Sequence, residues 1–183
     1  GAIWADAVPK LTGANIPFAI RARVVLLRDL GAPLSPFNAF QIIQGLETVA
    51  LRMKQHCVNA EKVVSFLETQ KKVTNVIYPT NHQGEIKERA KKYMQGGYGS
   101  LVGMDVGTRE AGSKFIDNLK MLYHVANIGD ARSLAIHPAT TTHSQLNDEE
   151  LLAAGVTPGY VRLSIGIEHP DDIIADIKQA LAA

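Results

Sequence analysis

Residues 157–172 read TPGYVRLSIGIEHPDD. From Tyr160 to Glu168 the side chains alternate without a break. Val161, Leu163, Ile165 and Ile167 fall on one side, and Tyr160, Arg162, Ser164, Gly166 and Glu168 on the other. Because successive side chains of a strand point to opposite faces, this pattern predicts a strand laid with its apolar face on a core. An arginine in the middle of the polar face has two readings. Either the face is wet, or the guanidinium holds an anion, and the residues alone leave both open.

Working outward, Pro170 with Asp171 and Asp172 opens a final helix whose Ile173, Ile174, Ile177 and Leu181 face inward, with acids where the helix N-terminus favours them. Upstream, Asn147 or Asp148 is placed to cap a short helix, EELLAAG, closed by Gly155. Further back come extended segments at HVANIG and SLAIHPA, an amphipathic helix over 109–122, an alternating strand over 98–107, a helix over 85–94 and a strand over 73–79. Ser35 and Pro36 open the longest periodic stretch, which runs to about Gln70 through Phe40, Ile43, Leu46, Ala50, Met53, Cys57, Ala60, Val64 and Leu67. Gly45 interrupts this long helix. A helix over 18–30 stops at Gly31, and the residues before it, with Pro9, Gly13 and Pro17, read as irregular. The expected fold class is α/β (α+β): a short, mostly antiparallel sheet with helices on one face, preceded by a long helix. A parallel sheet is the alternative.

Length and a 46% hydrophobic content allow one substantial core. Nineteen basic against 18 acidic residues, with no run of like charge, argue against a nucleic-acid partner. Cys57 is the only cysteine, so no internal disulfide can form. With no apolar stretch of membrane-spanning length and no signal-like start, a cytoplasmic setting is expected.

Chemistry is not evident from spacing. The six histidines contain no HxxxH pair and no second cysteine assists them, so no metal site is expected. Gly96, Gly97 and Gly99 fit neither phosphate-loop pattern and read as a turn. No serine lies in a GxSxG elbow.

Three stretches taken together carry more. RDLGAPLSPFNAFQIIQGLETVALRMKQHCVNA (28–60), ANIGDARSLAIHPATTTHSQL (126–146) and YVRLSIGIEHPDDIIADI (160–177) resemble the Cys/Met-metabolism family of pyridoxal-phosphate (PLP) enzymes. The NIGDA, HPATTTH and SQL wording is most similar to its O-acetylhomoserine sulfhydrylase branch; the lyase branches tend to carry serine where Asn127 stands.

The resemblance implies the small C-terminal domain of a fold-type I PLP transferase, with residues 1–34 as a connecting segment from a large domain and 35–183 as the substrate-side domain. It implies a homo-oligomeric enzyme that uses PLP to join O-acetylhomoserine and sulfide into homocysteine. No lysine here matches the family's SxTK cofactor-binding context. No residue of this chain is therefore expected to be catalytic or bonded to PLP, and the missing PLP domain becomes its partner. Arg162 matches the family arginine that holds the substrate α-carboxylate. Asn127 and the Ile128 backbone lie at the matching polar loop, and Thr142 lies where the family approaches the cofactor. The rival readings are a γ-lyase or cystathionine γ-synthase, and a freestanding non-catalytic domain that binds amino acids.

Overall fold

The computed structural model describes residues 2–183; Gly1, the first residue of the expected connecting segment, lies outside them. The chain forms two compact units, residues 1–47 and 48–183.

The first unit is helical. It holds α1 (Ala2–Thr12), α2 (Pro17–Arg21), a π-helical run over Ala22–Asp29 and α3 (Pro36–Glu47). Helix α1 stands where irregular chain was expected. It accommodates Pro9 near its end, and the Thr12 hydroxyl donates to the Val8 carbonyl (2.8 Å) before Gly13 turns the chain in a left-handed conformation. The helix expected over 18–30 does stop before Gly31, but most of it widens to π geometry, with the Leu30 N–H reaching the Val25 carbonyl.

The second unit begins where the long periodic stretch breaks. Helix α4 (Val49–Leu67) is separated from α3 at Thr48, not at Gly45. Only the later part of the apolar stripe is covered: Cys57, Ala60, Val64 and Leu67 are buried, whereas Phe40, Ile43 and Leu46 are exposed. The stripe is thus covered along α4 and left open along α3.

Besides two 3-10 turns at Pro79–Asn81 and Pro138–Thr140, the remaining elements are β1 (Asn75–Ile77), α5 (Gly84–Tyr93), β2 (Leu101–Asp105), α6 (Arg109–Asp117), β3 (Tyr123–His124), β4 (Leu134–Ile136), α7 (Asp148–Ala153), β5 (Tyr160–Ser164) and α8 (Pro170–Ala182). The strands form one sheet in the order β1-β2-β5-β4-β3, antiparallel throughout except for the β3–β4 pair. One face of the sheet, through Val161, Leu163, Val102, Met104 and Ala135, joins Ala60, Val63, Leu67, Phe115, Ile173 and Ile177 of the helices in one core.

Helix α6 ends five residues before the expected position for a clear reason. The carboxylate of Asp176, on α8, accepts the N–H groups of Lys120 (2.9 Å), Met121 (2.8 Å) and Leu122 (3.0 Å). Donors satisfied in that way have no need of a helical ladder. Helix α7 starts as expected, with Asn147 and Glu150 forming a capping box. Among the described residues, no helix is long and apolar enough to cross a membrane.

Candidate functional site

Strand β5 presents Tyr160 and Arg162 on the face of the sheet opposite the helical core. Register places Arg162 between Gly103 of β2 and Ile136 of β4. Space there is tight. A Cβ on Gly103 would stand 2.7 Å from the Tyr160 ring and 3.1 Å from the Ile77 Cβ, so its absence lets the tyrosine ring lean across the strand. The result is a concavity of about 270 Å³ lined by Ile77, Tyr78, His82, Gly103, Tyr160 and Arg162 among others. Burial pushes the Tyr160 phenol above its usual range, against the opposing pull of the Arg162 charge. It is therefore a neutral hydroxyl at neutral pH.

The Arg162 guanidinium is under-used. One Nη donates to the Asn127 carbonyl at the long distance of 3.4 Å, and the buried Nε has no partner among the described residues. A buried N–H left without an acceptor carries a desolvation cost of about 1–3 kcal/mol.

Asn127 sits beside Arg162 through its backbone carbonyl. Its side-chain Oδ1 accepts the Ile128 N–H (2.9 Å), so that backbone donor is already engaged within the loop, and both residues are exposed. Thr142 is also exposed, and its hydroxyl pairs with His143 Nδ1 at 2.9 Å. Thr142 does not line the Arg162 concavity. The loop carrying it is held elsewhere: Arg109 donates to the Ala139 carbonyl (2.5 Å) and to Asp148 (2.7 Å). Buried His137 is bonded through Nδ1 to Thr140 and through Nε2 to the Pro158 carbonyl, and burial lowers its pKa.

The strand ends earlier than the alternation suggested. Beyond Ser164 the chain leaves the sheet: Ile167, expected to be buried, is exposed, while Ser164 and Gly166 on the nominally polar side are buried. The 127–133 loop covers them. Gly129 N–H reaches Ser164 Oγ (3.4 Å), and Ile167 N–H donates to the Ala131 carbonyl (2.9 Å). Helix α4 holds the same segment from the other side. Asn59 donates to the Gly166 and Glu168 carbonyls, and His56 Nδ1 lies 2.6 Å from the Ile165 carbonyl. A carbonyl only accepts, so Nδ1 carries the proton.

Sequence reasoning missed Tyr160 and His82 as site-lining residues. Alternation already put Tyr160 on the Arg162 side, whereas nothing in local spacing brings residue 82 to strand β5. No lysine lines the concavity, so it offers PLP no covalent anchor; its donor set fits the carboxylate of a substrate lying beside that group.

A sheet with helices on one face and an arginine in a concavity on the other makes this an α/β domain with an open, arginine-bearing hollow. Comparison with known proteins specifies it further. Residues 9–182 match the Cys/Met metabolism PLP-dependent enzyme family, and the chain belongs to that family. It is similar to an O-acetyl-L-homoserine sulfhydrylase of Leptospira meyeri, with 52% identity over 171 residues, covering 92% of this chain and 39% of the relative. An L-methionine gamma-lyase of Fusobacterium nucleatum is 42% identical over 180 residues, covering 96% of this chain and 45% of that protein. Among solved structures, one from Campylobacter jejuni assigned as an O-acetylhomoserine (thiol)-lyase, with a pyridoxyl-lysine phosphate, superposes with a TM-score of 0.84 at 43% identity. It is matched over 94% of this chain and 42% of its own. The chain spans about two fifths of the length of these relatives.

Proposed function

We propose that this chain is the substrate-side part of a cytoplasmic, homo-oligomeric PLP-dependent sulfhydrylase that makes homocysteine from O-acetylhomoserine and sulfide, releasing acetate. The observation that carries this reading is the Arg162 guanidinium, from a side chain that lines a concavity and whose buried Nε–H has no partner among the described residues, in a chain of a PLP-dependent family. Its similarity to sulfhydrylases supports the branch.

PLP, when bound, supplies an electron sink that lets bonds at the amino-acid Cα and Cγ be broken. The part of this chain is binding and orientation. Arg162 takes the α-carboxylate through two parallel charge-assisted hydrogen bonds, fixing both its position and its rotation, which a lysine point charge does less well. The Asn127 carbonyl keeps one Nη in place while the other donors turn to the substrate. For the Ile128 N–H to join, the Asn127 side chain must release it. Thr142 borders the cofactor side. The cofactor lysine and phosphate contacts belong to the rest of the protein, in keeping with the share of the relatives that this chain spans. In this reading residues 1–34 connect to that part and 35–183 form the substrate-side domain, a boundary drawn before α3, whereas the compact units divide after it, at 47/48.

The test uses the full-length enzyme with O-acetylhomoserine and sulfide. Arg162→Ala is expected to raise KM for the amino acid by a factor corresponding to roughly 2–5 kcal/mol, with Arg162→Lys recovering only part of it. Unchanged KM removes the role from Arg162. Ammonia and α-ketobutyrate as the main products, in place of homocysteine, assign the chain to the γ-lyases, a reading that its 42% identity to one of them makes specific.

A further inference from the structure

We infer that Glu168 and Ser133 are positioning residues for Arg162: they hold the far end of the 127–133 loop, whose near end receives the guanidinium. Ser133 N–H donates to Glu168 Oε1 (2.7 Å), Ser133 Oγ–H donates to Oε2 (2.9 Å), and Ser133 Oγ in turn accepts the Gly166 N–H (2.8 Å). Ser133 is fully buried. The clasp has no slack. A Cβ on Gly166 would lie 2.3 Å from Glu168 Oε2 and 2.4 Å from the Ala131 carbonyl oxygen, so loop, carboxylate and post-strand segment are in close contact.

Both ends of the loop are thus fastened to one stretch of chain. Asn127 and Gly129 meet Arg162 and Ser164 on β5, while Ala131 and Ser133 meet Ile167, Gly166 and Glu168 just after it. Asn59 of α4 fixes the Gly166 and Glu168 carbonyls, so the anchor itself rests on a helix of the core. Releasing the far end lets the Asn127 carbonyl drift, and the guanidinium then loses the contact that aims it. A shift of about 1 Å in a positioning group can cost as much as a hundredfold in rate or binding.

This inference rests on the proposed role of Arg162, and its test separates the two. In the full-length holoenzyme, Glu168→Gln and Ser133→Ala are each expected to raise KM for O-acetylhomoserine about tenfold, with kcat within about twofold of the parent and KM for sulfide unchanged. Ser133→Ala removes only the hydroxyl and keeps the backbone bond to Glu168, so it reports even where Glu168→Gln fails to fold. Arg162→Ala is measured in parallel. Should it raise KM while the two clasp variants leave KM unchanged, the positioning role falls and the arginine reading stands. Should Arg162→Ala itself leave KM unchanged, both fall. A lowered melting temperature with KM for both substrates rising together marks the clasp as structural only and overturns the inference.

Discussion

The two faces of the sheet differ in what they leave unfinished. On the helix side, Val161 and Leu163 of β5 are wholly buried against α4, α6 and α8. On the other side, Tyr160 and Arg162 of the same strand border an open concavity, with a glycine in place of a side chain opposite and an arginine donor without a partner. One strand therefore closes the core with Val161 and Leu163 and turns Tyr160 and Arg162 to the concavity, where binding is proposed. Neighbouring positions along β5 should separate these roles cleanly.

The largest effect is expected on the closed face. Leu163→Ala removes a fully buried side chain from the centre of the core and should cost roughly 2–5 kcal/mol in denaturant unfolding. A cost below about 1 kcal/mol would show that this face is not the core.

Asp176 comes next. Burial alone would push its carboxyl up, but the N–H groups of Leu122, Met121 and Lys120 and the Gln179 amide outweigh it and hold it below the usual carboxylate range. Asp176→Ala leaves those donors without an acceptor and should cost on the order of 3 kcal/mol. Because the folded value is depressed, the stabilisation is fully present above the ordinary carboxylate pKa of about 4 and is lost as pH falls through the lower folded value. The parent should therefore lose stability on acidification, and Asp176→Ala should flatten that loss. Parallel acid profiles would dissociate the carboxylate from it.

Much of this division was legible in the sequence because alternation is a local signal. Val161, Leu163, Arg162 and Tyr160 were assigned to their faces by counting in twos. The end of the strand was not legible, since Ser164 and Gly166 take their burial from the 127–133 loop, more than thirty residues upstream, and Ile167 is left exposed. The early end of α6 escaped notice for the same kind of reason, its donors being claimed by a carboxylate on α8. The break at Thr48 lay hidden because an apolar stripe reports periodicity without reporting which body covers it. Of the candidate site, resemblance located Arg162 and the Asn127 loop, but the Glu168–Ser133 clasp joins residues that no motif spacing connects.

On the open face, Gly103→Ala should have a smaller effect of about 1–2 kcal/mol, because the Tyr160 ring can swing away from the new methyl group while the Ile77 contact, at 3.1 Å, tightens only slightly. The swing narrows the concavity. A raised KM for the amino acid in the full-length enzyme should therefore accompany the modest loss in melting temperature. A stability loss as large as that of Leu163→Ala would mean that the open face is as tightly packed as the closed one.

The smallest effect on stability is expected one residue from the largest. Arg162→Met keeps a flexible apolar stem of similar reach and removes a charge whose one hydrogen bond among the described residues is a long one to the Asn127 carbonyl. It also removes a buried N–H that had no acceptor, a change that relieves a desolvation cost instead of creating one. Unfolding free energy should thus stay within about 0.5 kcal/mol of the parent, or rise, even as affinity for a carboxylate is lost. A destabilisation of several kcal/mol would show the guanidinium to be a structural group satisfied by the fold, and the contrast between adjacent residues of β5 would disappear.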